Sequence, residues 1–354
     1  MSPLRRIASS AFVTTMFSIM VTGCSGSEPL AAGGAAGGST VPERDVPAAG
    51  SEPIAAGHGA CIRDGECVVR KVAEGLPGVS PIAYSDGLVW AVGNKSVVRV
   101  DASGTKVFET DSPPGFGVAA IGGFVFWDFD DDLLVLDPRG KVHGLSTSRC
   151  DGDSPLDLNV HDAHLYYRCG DSVYALDAHA IDIENVRTTA ARNTSYIAGI
   201  GRYPHALTVD TDGTLYWADR RHTGSGPLEL MKRGRSDETV AKVDDTYRTP
   251  ALVATPTHLV FADYQRKSVV AIPKNGGAAA PVAEGQEDTY QMTSDASGVY
   301  WASRQGIMRA ELDGSGARLL AKVDFASFVG KVALSPESIY WTSPGDGTIY
   351  AMGK

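Results

Sequence analysis

Beyond its first two dozen residues the chain has no apolar run approaching the roughly 20 residues that cross a bilayer, so its body lies outside the hydrocarbon core. No phosphate-binding glycine loop, dinucleotide fingerprint or Ser-His-Asp arrangement occurs, which leaves nucleotide-dependent and serine-hydrolase chemistry without a motif. Cysteine is scarce, five in 354 residues, and no two are spaced Cys-x2-Cys, the hook of structural zinc sites. Aromatic residues are absent from Ser25 to Ala60, so that stretch cannot build a core. Glycine is plentiful instead, 40 residues beside 19 prolines, and this demands either a low-complexity tract or very many turns. With 43% hydrophobic and 21% charged residues the chain is not wholly disordered. Its length suits two domains of about 150 residues each or one large all-β domain.

The N-terminus carries an address. Arg5-Arg6 precede an apolar stretch from Ile7 to Val21 with no acid before Glu28, the layout of a secretory signal too short to span a membrane. Val21-Thr22-Gly23-Cys24 resembles the lipobox of bacterial lipoproteins. The resemblance implies a signal peptide over 1–23, lipidation of Cys24, and an exported protein anchored to the bacterial envelope, in the outer membrane. Several acyl chains on one residue hold more firmly than a single chain can. Residues 24–60 are then expected to be a disordered Ala/Gly/Pro tether, whose 36 residues after Cys24 would reach about 30 Å as a flexible coil. Removing the signal takes away two arginines and no acid, leaving 30 basic and 42 acidic residues, a formal charge of −12. Nucleic acid is a poor partner for that surface, and the membrane is met through the anchor alone. Four cysteines remain, and four allow three pairings in an oxidising compartment. Cys61 is expected to pair with Cys67 and Cys150 with Cys169.

Over 61–354 the sequence repeats itself. SDGLVWAVG at 85, IGGFVFWDF at 121, HDAHLYYRCG at 161, TDGTLYWAD at 211, TPTHLVFAD at 255, DASGVYWAS at 295 and SPESIYWTS at 335 share one pattern. Their aromatic anchors fall at Trp90, Trp127, Tyr167, Trp217, Phe261, Trp301 and Trp341, at intervals of 37, 40, 50, 44, 40 and 40 residues, and account for all five tryptophans. A period near 40 with short alternating strands and Gly or Asp turns predicts four-stranded blades, hence an all-β, seven-bladed β-propeller. The seventh unit ends after its third strand, while Cys67–Glu74 rhymes with the fourth strands of other units. That N-terminal strand is therefore expected to complete the last blade and close the ring, which removes free sheet edges.

Leu215-Tyr216-Trp217-Ala218-Asp219, Val299-Tyr300-Trp301-Ala302-Ser303 and Ile339-Tyr340-Trp341-Thr342-Ser343 resemble the Tyr-Trp-Thr-Asp repeats of low-density-lipoprotein-receptor-type propellers. Pro204-His205-Ala206-Leu207-Thr208-Val209-Asp210, followed by Gly213, looks like the NHL and streptogramin-lyase-like propellers. The resemblance covers Cys61 to Lys354 and implies a fold rather than one activity, because receptors, scaffolds, lyases and lactonases share these blade-forming motifs. None of the lyase-like catalytic residues maps onto a matching motif.

In such a ring the loops from the fourth strand to the next first strand and from the second to the third share one face, here called upper. Tyr203, His205, Arg248, Asp288, Tyr290, Arg168, Arg221, His222, Tyr264 and Arg304 are the candidate ligand-binding residues on it. Phe116, Asp157 and the Asp128–Asp132 run lie there too. That run lacks the glycine and distal glutamate of a calcium loop, and His161-Asp162-Ala163-His164 occupies a turn, so no metal site and no cofactor is expected. The expected function is a non-catalytic binding or scaffold propeller, monomeric, taking a protein, peptide or glycan at the envelope. The alternative is a propeller hydrolase or lyase using upper-face His205 or His222 with rim acids.

Overall fold

The computed structural model describes residues 43–46, 69–101, 103–111, 115–129, 132–145, 155–199, 204–219, 227–234, 236–243, 250–323 and 330–354, with the backbone alone at 43–46, 155–156 and 204–205. The signal region 1–23, Cys24, most of the expected tether, Cys61, Cys67 and Cys150 lie outside the described residues. No helix among the described residues is long and apolar enough to cross a membrane.

Seven antiparallel sheets form the fold, each with four consecutive strands except where the ring closes. Blade 6 shows how the sequence builds one, from Met292–Asp295, Gly298–Ser303, Gly306–Ala310 and Arg318–Ala321. Asp295 turns the first hairpin by accepting the Ser297 amide at 2.8 Å, and Asp313 turns the last by accepting Ser315 N–H at 2.8 Å. Glycine is required at 298, where φ is +152° and a Cβ would stand 2.5 Å from the Ala310 carbonyl oxygen. The first strand of every blade touches the first strands of both neighbours, so the seven innermost strands surround one axis in an unbroken circle.

Closure follows the sequence expectation. Arg70–Ala73 pairs with Thr348–Gly353 in the register Arg70↔Ala351, Lys71↔Tyr350 and Ala73↔Ile349, supplying the fourth strand of blade 7. Leu76 then donates its amide to Gly347 O at 2.9 Å, and a Cβ on Gly347 would sit 2.9 Å from the Leu76 carbonyl oxygen. The first and last described strands of the ring are thus joined by backbone hydrogen bonds.

An apolar cluster fills each of the seven gaps between neighbouring blades. In blades 2 to 7 the anchor ring enters the gap to the preceding blade, as Trp301 does among Val260, Ala262, Val269 and Ala271 of blade 5. Blade 1 corrects the sequence reading by one residue. Its first strand pairs Ile82 with Ala91, where blade 7 pairs Val332 with Trp341, so Ala91 holds the anchor register and Trp90 does not. Because side chains alternate between faces, that one-residue step turns Trp90 toward blade 2, against Phe108 at 6.3 Å. The seam between blades 7 and 1 has no buried anchor ring and is packed by aliphatic groups, among them Ala73, Leu76, Val79, Ile82 and Val89, flanked by the half-buried stacked pair Tyr84 and Tyr340 at 6.4 Å.

Two further features depart from the plain repeat. The long interval before Trp217 holds a 3-10 turn, Ala178–Ala180, and a helix, Val186–Arg192, between the third and fourth strands of blade 3. Asp177 caps the turn by accepting His179 and Ala180 amides, and Val186 and Ala190, one helical turn apart, are buried in the cluster shared by blades 2 and 3. The expected tether is not structureless throughout. Its segment Glu43–Val46 adds a fifth strand to blade 1, antiparallel to Gly104–Glu109, with Asp45 opposite Lys106. The physical reason is the open ladder of an outer strand, which accepts any extended segment within reach. Val46 precedes Pro47, and a residue before proline is held extended.

Candidate functional site

The ten candidate residues separate into three groups. Tyr203, Arg221, His222 and Arg248 lie outside the described residues, and His205 falls in the first strand of blade 4, Pro204–Val209, as backbone only. Tyr264, Asp288, Tyr290 and Arg304 come together on the upper face between blades 5 and 6. Arg168 stands apart in blade 3, its Nε donating to Asp157 Oδ2 at 2.9 Å.

Tyr264, Asp288 and Arg304 line a cleft of ≈ 310 Å³. Its floor is a residue that the sequence reading passed over. Gln286, 4% exposed, donates its backbone amide to Lys267 O at 2.6 Å and its side-chain amide to Glu284 O at 2.9 Å. Its side-chain carbonyl accepts the indole N–H of Trp301 at 2.8 Å. The buried anchor of blade 6 therefore fixes the floor of the cleft directly. Buried Asp263 shapes the loop between the second and third strands of blade 5 by accepting the amides of Gln265 and Arg266 at 3.1 and 3.0 Å.

The walls carry paired charges. Arg304 Nε donates to Asp288 Oδ2 at 2.6 Å, and the Tyr290 hydroxyl donates to the other Asp288 oxygen at 3.2 Å. Lys267 Nζ meets Glu287 Oε1 at 2.5 Å. Those hydrogen bonds, with the carboxylate charges behind them, push the pKa of Arg304 and of Lys267 up and keep both cationic. Asp288 and Lys267 sit at φ +60° and +51°, the left-handed region that side chains other than glycine enter only when their surroundings insist. Tyr264 leaves 46% of its surface open beside these pairs. Lys267, Glu287 and Thr289 also line it, and only their place in the same two loops could have marked them in the sequence.

A second cluster surrounds the mouth of the central channel. Asp128, 2% exposed, accepts the amides of Phe116 and Gly117 at 2.9 and 2.6 Å. Burial pushes its carboxyl pKa up, against the pull of those two amides. Lys331 of blade 7 crosses above blade 1 and donates to the Phe116 carbonyl oxygen. Burial pushes the Lys331 pKa down, opposed by the charges of Asp128 and Asp157. Both Asp128 oxygens are thus engaged with backbone, and no group of three metal-binding side chains occurs among the described residues. His161 and His164 flank the turn at Asp162, with His161 Nε2 3.3 Å from Asp162 Oδ2.

Cys169, 3% exposed, ends the second strand of blade 3, and Cys61, Cys67 and Cys150 lie beyond the described residues.

No protein-family model and no curated protein matches the chain. Solved structures match its fold. A streptogramin B lyase structure is 14% identical with a TM-score of 0.60, covering 81% of this chain and 97% of that one. The extracellular domain of a one-component system from B. thetaiotaomicron is 11% identical with a TM-score of 0.56, covering 84% of this chain and 40% of that one. A nidogen/laminin complex structure is 11% identical with a TM-score of 0.50, covering 69% and 96%. At these identities the likeness is one of fold, and it makes the chain a β-propeller of the kind found among both enzymes and binding proteins.

Proposed function

We propose that this protein is an exported, lipid-anchored binding propeller that takes a glycan of the cell envelope in the cleft between blades 5 and 6, without catalysis. The observation that carries the reading is the composition of that cleft. A half-open aromatic ring, Tyr264, stands beside donors and acceptors held in place by Gln286, Asp288 and Arg304. Concave sites with a few fixed polar groups select ligands by hydrogen-bond geometry. Each cation already has its carboxylate, Arg304 with Asp288, Lys267 with Glu287 and Arg266 with the buried Asp263, so the site offers polarity without net charge. A neutral, hydroxyl-rich ligand suits that pattern better than a strongly charged peptide.

Titrating soluble peptidoglycan fragments and outer-membrane polysaccharide into the protein tests this. Binding is expected to weaken at least tenfold in Tyr264→Ala and Arg304→Ala, with unchanged melting temperatures because both side chains are exposed. Equal affinity in the variants would contradict the cleft. The rival reading, a hydrolase or lyase using His205 or His222, is supported by the fold shared with streptogramin B lyase. Consumption of the glycan, abolished by His205→Ala or His222→Ala, would favour it.

The anchor belongs to the same proposal. Cys24 carries the lipid in the outer membrane, the signal over 1–23 is removed, and the chain works as a monomer. Cys169 pairs with Cys150, which closes a loop worth roughly 3 kcal/mol, and Cys61 pairs with Cys67. Cys24→Ser is expected to move the protein from the membrane pellet to the soluble fraction; persistence in the pellet would count against the anchor.

A further inference from the structure

We infer that the outer edge of blade 1 is a binding site for an extended peptide strand, and that its resident is this chain's own segment Glu43–Val46, a strap that fastens the N-terminal extension to the ring. The glycan cleft plays no part in it. The four residues pair antiparallel with Gly104–Glu109, from Glu43↔Phe108 to Val46↔Thr105. Any exposed ladder can attract a strand, so a built site must differ from the edges of the other six blades. The difference here is one of regularity.

In blades 3 to 7 the register between the third and fourth strands slips, as at Leu230/Met231 of blade 4 and Ile307/Met308 of blade 6. A slipped outer strand twists and leaves a residue unpaired, which spoils its edge for a further strand. Blade 2 keeps its register, but its outer strand is only Val142–Leu145, and the helix Val186–Arg192 lies against it. Among the described strands, blade 1 alone combines a six-residue outer strand with an unbroken register, running from Ser96↔Glu109 to Asp101↔Gly104. Edge protection is therefore missing at the one outer edge where a further strand is bound.

The sequence of the strap fits that edge. Glu43-Arg44-Asp45 is the one run of consecutive charged residues between Ser25 and Ala60, and the register sets Asp45 opposite Lys106, a favourable charge pairing. Pro42 and Pro47 bracket the segment and have no amide to donate, which confines the added ladder to these four residues. Docking moves the point where the extension meets the ring from Arg70 back to Glu43. Counted from Cys24, the free chain falls from 46 residues to 19, and its greatest possible reach falls from about 150 Å to about 65 Å. The strap thereby limits how far the ring can stand from a membrane. That consequence rests on the lipid anchor proposed above, whereas the docking itself does not.

Hydrogen exchange of the full-length chain tests the docking. The amides of Gly104–Glu109 that point away from Ser96–Asp101 are expected to exchange slowly. They are expected to exchange at least tenfold faster when Arg44→Pro and Asp45→Pro are combined, whichever of the two amides the ladder uses. Unchanged protection of Ser96–Asp101 serves as the folding control. A second measurement identifies the occupant. Asp45→Cys with Lys106→Cys, directly opposite in the register, is expected to give on oxidation a disulfide between positions 45 and 106 within one chain. Equal exchange in the parent and the double-proline variant, no link between 45 and 106, or a link that joins two copies would each overturn the inference. The same results are expected in Cys24→Ser, so failure of the anchor and failure of the strap are told apart.

Discussion

Deleting Arg70–Ala73 is expected to abolish cooperative folding. The segment supplies the fourth strand of blade 7, and its loss leaves Thr348–Gly353 as an open edge beside the aliphatic seam that Ala73 helps to fill. A propeller has no partial closure to fall back on, because each blade buries its faces only against its two neighbours. The whole stability of a domain is about 5–15 kcal/mol, and the deletion removes both a strand's ladder and the place of Ala73 in the seam. The exposed edge would then pair with other molecules. Thermal or urea unfolding followed by circular dichroism checks this. A truncated protein that unfolds in one steep transition and stays monomeric would show that the ring does not depend on its N-terminal strand.

Trp341→Ala is expected to cost about 3–5 kcal/mol, the usual penalty for truncating a buried large ring. Trp341 is fully buried, stacks on Tyr350 at 5.6 Å and 16°, and packs with Tyr300, Ile307 and Val332 between blades 6 and 7. Phenylalanine separates the ring's volume from its N–H. The Trp341 indole nitrogen has no hydrogen-bond partner among the described residues, so Trp341→Phe loses mainly volume. The Trp301 indole binds Gln286, so Trp301→Phe leaves a buried carbonyl unpaired, a further cost of about 1–3 kcal/mol, and loosens the floor of the cleft. Urea denaturation of the three variants checks the order. A loss under about 1 kcal/mol for Trp341→Ala, or equal effects of the two phenylalanine variants, would contradict the packing described.

How much of this the sequence carried depends on the range of the interaction. The blades were legible because a tight turn and an alternating strand are local signals, and because the aromatic at each anchor recurs every 40 residues or so. Closure was legible because the ladder of blade 7 was one strand short. Trp90 misled for a related reason: a bulky aromatic next to the anchor position looks like the anchor, and only pairing with Ile82 reveals that Ala91 holds the register. The helix Val186–Arg192 is seven residues long, too short for helical periodicity to declare itself.

In the site, charged and aromatic loop residues drew attention, and Tyr264, Asp288 and Arg304 do share a cleft. Gln286 was missed because an uncharged side chain in a loop carries no signal of its own. Its role comes from an indole 15 residues further on. The bond between Lys331 and Phe116 was out of reach altogether, since blades 7 and 2 meet only once the circle is complete.

Binding of a glycan between blades 5 and 6 on the upper face of the ring is tested by mapping amide chemical shifts during titration with soluble peptidoglycan fragments or outer-membrane polysaccharide. Shifts are expected at Tyr264–Lys267, Gln286–Tyr290 and Arg304, saturating with one binding curve and with the glycan recovered intact. Shifts confined to the lower-face turns around Asp162, Asp210 and Asp295, or cleavage of the glycan during the titration, would contradict it.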